Sequence, residues 1–122
     1  MKFNESIPIH LQIKEEIENA IISQTLKEEE KIASIRDMAK HYRVNPQTIS
    51  NAYNELMNED ILYKKRGIGM FVLAGARQRL LTKKTKQFLE NDLQQVFLKG
   101  KAIGISLSEI IRIAEKIFQG GN

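Results

Sequence analysis

Ser34-Ile35-Arg36-Asp37-Met38-Ala39-Lys40-His41-Tyr42-Arg43-Val44-Asn45-Pro46-Gln47-Thr48-Ile49-Ser50-Asn51-Ala52-Tyr53-Asn54-Glu55-Leu56 is the stretch whose reading decides the fold. Ser34 with an acid three residues on has the form of a capping box, opening a short helix with Ile35, Met38 and Ala39 inward. Tyr42-Arg43-Val44 then makes a tight turn. Asn45 caps a second helix whose first position is Pro46, where a missing N–H costs nothing. Ile49, Ala52, Tyr53 and Leu56 form its apolar face, leaving Gln47, Ser50, Asn51 and Asn54 on the polar one. Two short helices joined by so short a turn are a helix-turn-helix.

Upstream, Ser6 and Pro8 start a helix with Ile9, Ile13, Ile17, Ala20 and Ile21 on one stripe. Glu15, Glu16 and Glu18 are expected on its solvent side. The polar run Gln24 to Lys31 ends it without glycine or proline. Downstream, Ile61-Leu62-Tyr63-Lys64 and Met70-Phe71-Val72-Leu73 flank Lys65-Arg66-Gly67-Ile68-Gly69, a hairpin with a basic, glycine-bearing tip. A helix-turn-helix followed by such a hairpin is a winged helix. Its expected core is Ile13, Ile17, Met38, Ile49, Leu56 and Phe71. Beyond Gly75 a long amphipathic helix carries Leu81, Phe88, Leu89, Leu93, Val96 and Phe97, broken by Gly100 and Gly104. Ser106-Leu107-Ser108-Glu109, a second capping box, opens a last helix that Gly120-Gly121 stops. The expected fold is mostly α with a small β-hairpin wing. Residues 1–76 form the winged helix-turn-helix, and residues 77–122 a two-helix dimerisation tail.

Composition narrows the function classes. At 122 residues the chain is too short for the large α/β enzyme architectures, which need on the order of 200 residues. No apolar run approaches the ~20 residues of a membrane span. The absence of cysteine excludes disulfides and thiolate metal sites and fits a cytoplasmic protein. His10 and His41 stand far apart, and no nucleophile–base pair or metal cluster emerges, so neither enzyme activity nor a cofactor or metal is expected. Residues 1–30 carry three basic against seven acidic side chains, and residues 31–66 seven against four. An acidic leader before a basic middle suits a molecule with one face toward a polyanion.

Reading a duplex needs cations or N–H donors for phosphates and amide or guanidinium forks for base edges. Gln47 can fork onto adenine N6 and N7, and Asn51 likewise one turn later. Thr48 serves equally well as a capping partner of Asn45 or a phosphate contact. Gly67 and Gly69 let backbone approach closely, while Lys65 and Arg66 bring charge that a narrow minor groove attracts. The basic run Arg77, Arg79, Lys83, Lys84 and Lys86 reads as a solvated helix face.

Three blocks resemble the GntR family of bacterial transcription regulators across residues 7–76. They are Ile32-Ala33-Ser34-Ile35-Arg36-Asp37-Met38-Ala39, Val44 to Leu56, and Lys65-Arg66-Gly67-Ile68-Gly69-Met70-Phe71-Val72. The short tail resembles the YtrA subfamily. The resemblance implies a homodimeric, sequence-specific regulator, a repressor acting on an inverted-repeat operator and controlling a nearby transporter operon. It assigns Arg36 to the DNA face, on a phosphate or a guanine. With it go Ser34, Asn45, Gln47, Thr48, Ser50, Asn51, Lys65, Arg66, Gly67 and Gly69. Family members usually have glycine near positions 24, 29 and 60 and proline at 33. Gln24, Glu29, Asp60 and Ala33 are therefore expected to alter turn geometry. Met70 lacks the family's hydroxyl, and Pro46 replaces an arginine of the recognition turn.

The tail has more apolar surface than one chain can cover. Phe88, Leu89, Val96, Phe97, Leu107, Ile110, Ile111, Ala114, Ile117 and Phe118 are expected at a two-fold dimer interface. Any small-molecule effector would bind in a helical pocket at the dimer seam or between tail and winged helix. The rival class is a winged-helix module that binds protein without DNA; the basic wing and polar recognition face argue against it.

Overall fold

In a computed structural model, which describes residues 2–120, the first helix, α1, spans Ile9–Ile22. Pro8, not Ser6, is its N-cap. Ser6 instead closes a turn on Asn4, donating its Oγ–H to Asn4 Oδ1 at 2.7 Å. Ile13, Ile17 and Ile21 are buried, but Ile9 is exposed and Glu18 is only 4% exposed, contrary to the expected stripe. A 3.6-residue period places Glu18 beside Ile17 and Ile21, at the edge of the packed face.

Helix α2 covers Ile35–Tyr42, and Ser34 Oγ accepts the Asp37 N–H at 3.0 Å as the capping box requires. Ala39 is buried and Met38 packs against the core, whereas Ile35 is exposed. Arg43 ends α2 in the left-handed conformation, φ 57°. Helix α3 covers Pro46–Asn58 and buries Ile49, Ala52, Tyr53 and Leu56. Both α1 and α2 pack on α3.

Strands β1 (Leu62–Lys65) and β2 (Gly69–Val72) pair antiparallel, Leu62 opposite Val72 and Lys65 opposite Gly69. Alternation along each strand sends Leu62 and Val72 into the core and Tyr63 and Phe71 to the outer face. Phe71 is therefore not a core residue; its ring stacks on Tyr63 at 5.9 Å. Residues 29–32 add a minimal third strand on the free edge of β2. Glu29 N donates to Val72 O, Ile32 N donates to Met70 O, and Lys31 bridges Phe71.

Helix α4 (Ala76–Gln87) is followed without interruption by a π-helical turn, Phe88–Asp92, and by α5, Leu93–Ala102. Helix α6 covers Leu107–Phe118, with Ser106 Oγ accepting the Glu109 N–H. Gly100 does not break the helix. It lies within α5, with the side chains of Ile105 and Ile110 3.8 Å from where a methyl would stand. Gly104, at φ 86°, ends α5, and Ile105 N donates back to Gly100 O, the closing bond of a Schellman turn. Of the expected Gly120-Gly121 stop, Gly121 lies outside the described residues.

The chain divides into two compact units, Met1–Thr82 and Lys83–Asn122. The first reaches six residues past the expected boundary at 76, because Ala76 and Leu80 of α4 are fully buried in the winged-helix core. Four hydrogen bonds fasten this end of the unit. Glu28 caps α4 across 47 residues, its carboxylate accepting Gly75 N at 2.9 Å and Arg77 N at 3.0 Å. Those two bonds hold its pKa below the usual carboxylate value. Arg77 Nε in turn donates to Ile22 O at the end of α1, and Arg79 Nη1 to Ala74 O. Arg77 is therefore half-buried rather than the solvated side chain that its place in a basic run suggests, whereas Arg79 is exposed as expected.

Gln24, Glu29 and Asp60 adopt φ values of 65°, 70° and 59°. These turns thus carry a side chain in the left-handed backbone that glycine favours. A left-handed β-carbon costs on the order of 1 kcal/mol, partly offset by the greater unfolded-state freedom of glycine. Gln24→Gly should accordingly stabilise the chain by about 0.5–1 kcal/mol, raising Tm by roughly 2–8 °C. A fall in Tm on thermal denaturation would show that the Gln24 side chain contributes more than its backbone costs.

Candidate nucleic-acid interface

The recognition helix is set by its buried face. Tyr53 is buried in the core, and its hydroxyl donates to Ala33 O at 2.8 Å, tying α3 to the segment that starts α2. Desolvation pushes its ionisation well above the ordinary tyrosine range, so it stays a donor. Away from the polar face, Glu55 accepts from Lys14 at 3.3 Å and lies 2.8 Å from His10, while Glu59 also accepts from Lys14. The Lys14 bond is the main reason that the Glu55 carboxyl titrates below its usual value. His10, a lone histidine in the sequence, is thus part of a clamp between α1 and α3.

With α3 held from behind, Gln47 and Asn51 project into solvent and Ser50 is half-exposed beside them. The two amides are joined: Gln47 Nε2 donates to Asn51 Oδ1 at 2.9 Å. This i, i+4 bond narrows the rotamers of both before anything binds. Gln47 Oε1, its second Nε2–H and the Asn51 amide N–H groups remain for a base edge. Asn45 Oδ1 accepts from Gln47 N at 2.8 Å. The helix cap therefore engages Gln47, not Thr48, whose N–H goes to the backbone O of Asn45. Thr48 is half-exposed. Ser34 Oγ is engaged as a cap acceptor and retains its O–H as donor. Arg36 is exposed on the first turn of α2, and no acceptor engages its guanidinium among the described residues.

At the wing, Gly67 sits at φ 79°, the left-handed position of the tip, where a side chain would be strained. Arg66 is exposed beside it. Lys65 folds back over the aromatic pair, its Nζ 4.6 Å from the Phe71 ring centroid. Lys31, absent from the sequence-derived set, also reaches the wing. Its strand lies more than thirty residues away in sequence, and no local pattern marks it.

In the second unit the expected interface residues are mostly solvent-facing. Phe118 is 89% exposed and Val96 64%, and Phe88, Leu89, Phe97, Leu107, Ile111 and Ile117 are also exposed. Ile110 is half-buried and Ala114 exposed. Leu93, Val96 and Phe97 of α5 face Ile110, Ile113, Ala114, Ile117 and Phe118 of α6 across a groove of about 400 Å3. Ile113 belongs to that groove and was legible in principle, three residues after Ile110 and four before Ile117. No group of three metal-ligating side chains exists among the described residues, and no described helix is long and apolar enough to cross a membrane.

A polar helix face held rigidly above a helical core, with a cationic hairpin in the same unit, is the construction of winged-helix DNA-binding regulators. Residues 9–72 match the family described as bacterial regulatory proteins, gntR family, and the chain belongs to that family. It is 31% identical to the uncharacterized HTH-type transcriptional regulator YhcF of Bacillus subtilis (strain 168), covering 98% of both chains. It is 30% identical to the HTH-type transcriptional repressor YtrA of the same organism, covering 86% of this chain and 80% of YtrA. A GntR family transcriptional regulator from Listeria monocytogenes superposes with a TM-score of 0.79 at 32% identity, covering 93% and 98% of the two chains. The DNA-binding domain of AraR in complex with operator ORX1 matches 59% of this chain and 88% of its own, with TM-score 0.53 and 29% identity. The chain is a GntR-type transcription regulator with a DNA-binding domain; its relatives are regulators, not enzymes.

Proposed function

We propose that the chain is a homodimeric repressor of the YtrA subfamily, binding an inverted-repeat operator and controlling a neighbouring transporter operon. The observation that carries the DNA-reading part is the outward-facing Gln47–Asn51 pair on a recognition helix anchored by Tyr53. In this reading Gln47 and Asn51 read base edges. Ser34, Arg36, Asn45, Thr48 and Ser50 position the duplex from the helices, and Lys65, Arg66 and the backbone at Gly67 and Gly69 do so from the wing. The name of YtrA supports repression, and the AraR–operator complex supports an operator as the ligand of this domain type. The dimer rests on the uncovered apolar face of α5 and α6, which closes against its own copy about a two-fold axis. Two recognition helices so related read half-sites about one helical turn apart, or a multiple of it. An effector, where one exists, binds in a helical pocket at that seam.

Footprinting of DNA upstream of the chain's own gene, followed by titration of the protected duplex against salt, tests this reading. The expected result is an inverted repeat whose log affinity falls steeply and linearly with log salt concentration, since neutralised phosphates release counterions. Binding without salt dependence would favour a protein-binding winged helix instead.

A further inference from the structure

We propose that Lys31 is a further wing cation, delivered to the DNA-facing hairpin by the third strand and seated in the space that Gly69 leaves open. The proposal rests on the reading of the chain as a DNA-binding protein. Lys31 pairs with Phe71 in the bridge on the edge of β2, so its side chain shares the outer face with Phe71, Tyr63, Lys65 and Gly69. From that pairing the side chain runs two residues further toward the hairpin tip. A methyl group at Gly69 would stand 2.7 Å from Lys31 Cε and 3.5 Å from its Nζ. Gly69 is thus more than a turn residue, because its missing β-carbon is the groove in which the lysine stem lies.

The same end of the hairpin holds Lys65, directly opposite Gly69, with its ammonium over the Phe71 ring. Glu29, two residues before Lys31, is drawn to the base of the hairpin, where its carboxylate accepts from the Tyr63 hydroxyl at 3.3 Å. No carboxylate pairs with Lys31 among the described residues. Two ammonium groups, each resting on the wing surface rather than on a free stem, next to Arg66 at the tip, form a compact cationic edge. Such an edge suits phosphate oxygens, which position a duplex without reading its sequence.

Lys31→Met tests this, because methionine keeps an unbranched stem over Gly69 and removes only the charge. Binding of the full chain to the protected duplex and to a scrambled one is measured across a salt series, with Lys65→Ala as a control and thermal melting to confirm the fold. The expected result is a loss of roughly three- to tenfold on both duplexes and a salt slope shallower by about 0.9. Lys31→Arg should retain the wild-type slope. An unchanged slope and affinity in Lys31→Met, where Lys65→Ala lowers both, overturns the assignment and leaves the DNA-binding reading intact. A loss confined to the specific duplex also overturns it, since that would be base reading. A wild type without any salt slope defeats the DNA-binding reading itself.

Discussion

Val96→Glu combined with Phe118→Glu should yield a folded monomer that binds the full operator on the order of 10²-fold or more weakly than the wild type. Both side chains lie on the rim of the α5–α6 groove and already meet water in the single chain. Exchanging exposed residues away from any special contact changes stability by about 0.5 kcal/mol or less. In a two-fold dimer closed over that groove, each substitution appears twice, placing four carboxylates at an apolar seam. Burying unpaired charge there is far costlier than simply trimming the apolar side chains would be. Dissociation then removes the second half-site contact, and with it the gain that comes from binding two half-sites in one event. Sedimentation at micromolar concentration, alongside operator titration, decides the matter. A wild type that sediments as a monomer, or a double variant that binds the operator undiminished, refutes the interface.

The second large effect is on specificity. Gln47→Ala should lower affinity for the specific duplex by about 10- to 100-fold, the worth of one good bidentate base contact, and leave the scrambled duplex nearly unaffected. Because Gln47 Nε2 is held by Asn51 Oδ1, Asn51→Ala should also release the Gln47 amide from its orientation. The double variant should therefore lose less than the sum of the two single losses, as contacting residues in one network do. Binding to both duplexes at fixed salt, arranged as a double-mutant cycle, checks both statements. Equal proportional losses on the two duplexes would remove Gln47 from base reading. Strict additivity would show that the two amides act independently when DNA is bound.

The recognition unit is legible in the sequence because its signals are local. A cap at Ser34, a cap and a proline at Asn45-Pro46, and an apolar period through Ile49, Ala52, Tyr53 and Leu56 each act within one or two helical turns. Their physics needs no distant partner. Where sequence and structure part, the cause is a choice between faces or between partners. Phe71 has the character of a core residue, large and apolar in a strand; the pairing register puts Val72 inward and Phe71 outward. Glu18 belongs in solvent by its charge, yet the helix phase sets it among buried isoleucines. Gln24, Glu29 and Asp60 would be expected to alter their turns, yet all three adopt the left-handed backbone that glycine favours.

The sequence by itself determined the order and kind of the elements and the polar face of α3. It also determined the glycine-bearing basic turn of the wing and the excess of apolar surface in the tail. These follow from spacing and backbone chemistry, which act over a few residues. Only the tertiary structure decided what distant segments do to one another. It carried Lys31 to Gly69, set the Glu28 carboxylate on the first N–H groups of α4 and locked Tyr53 to Ala33. Such pairings span from about twenty to nearly fifty residues of chain. They are selected by the packing of the whole core, which no local pattern encodes.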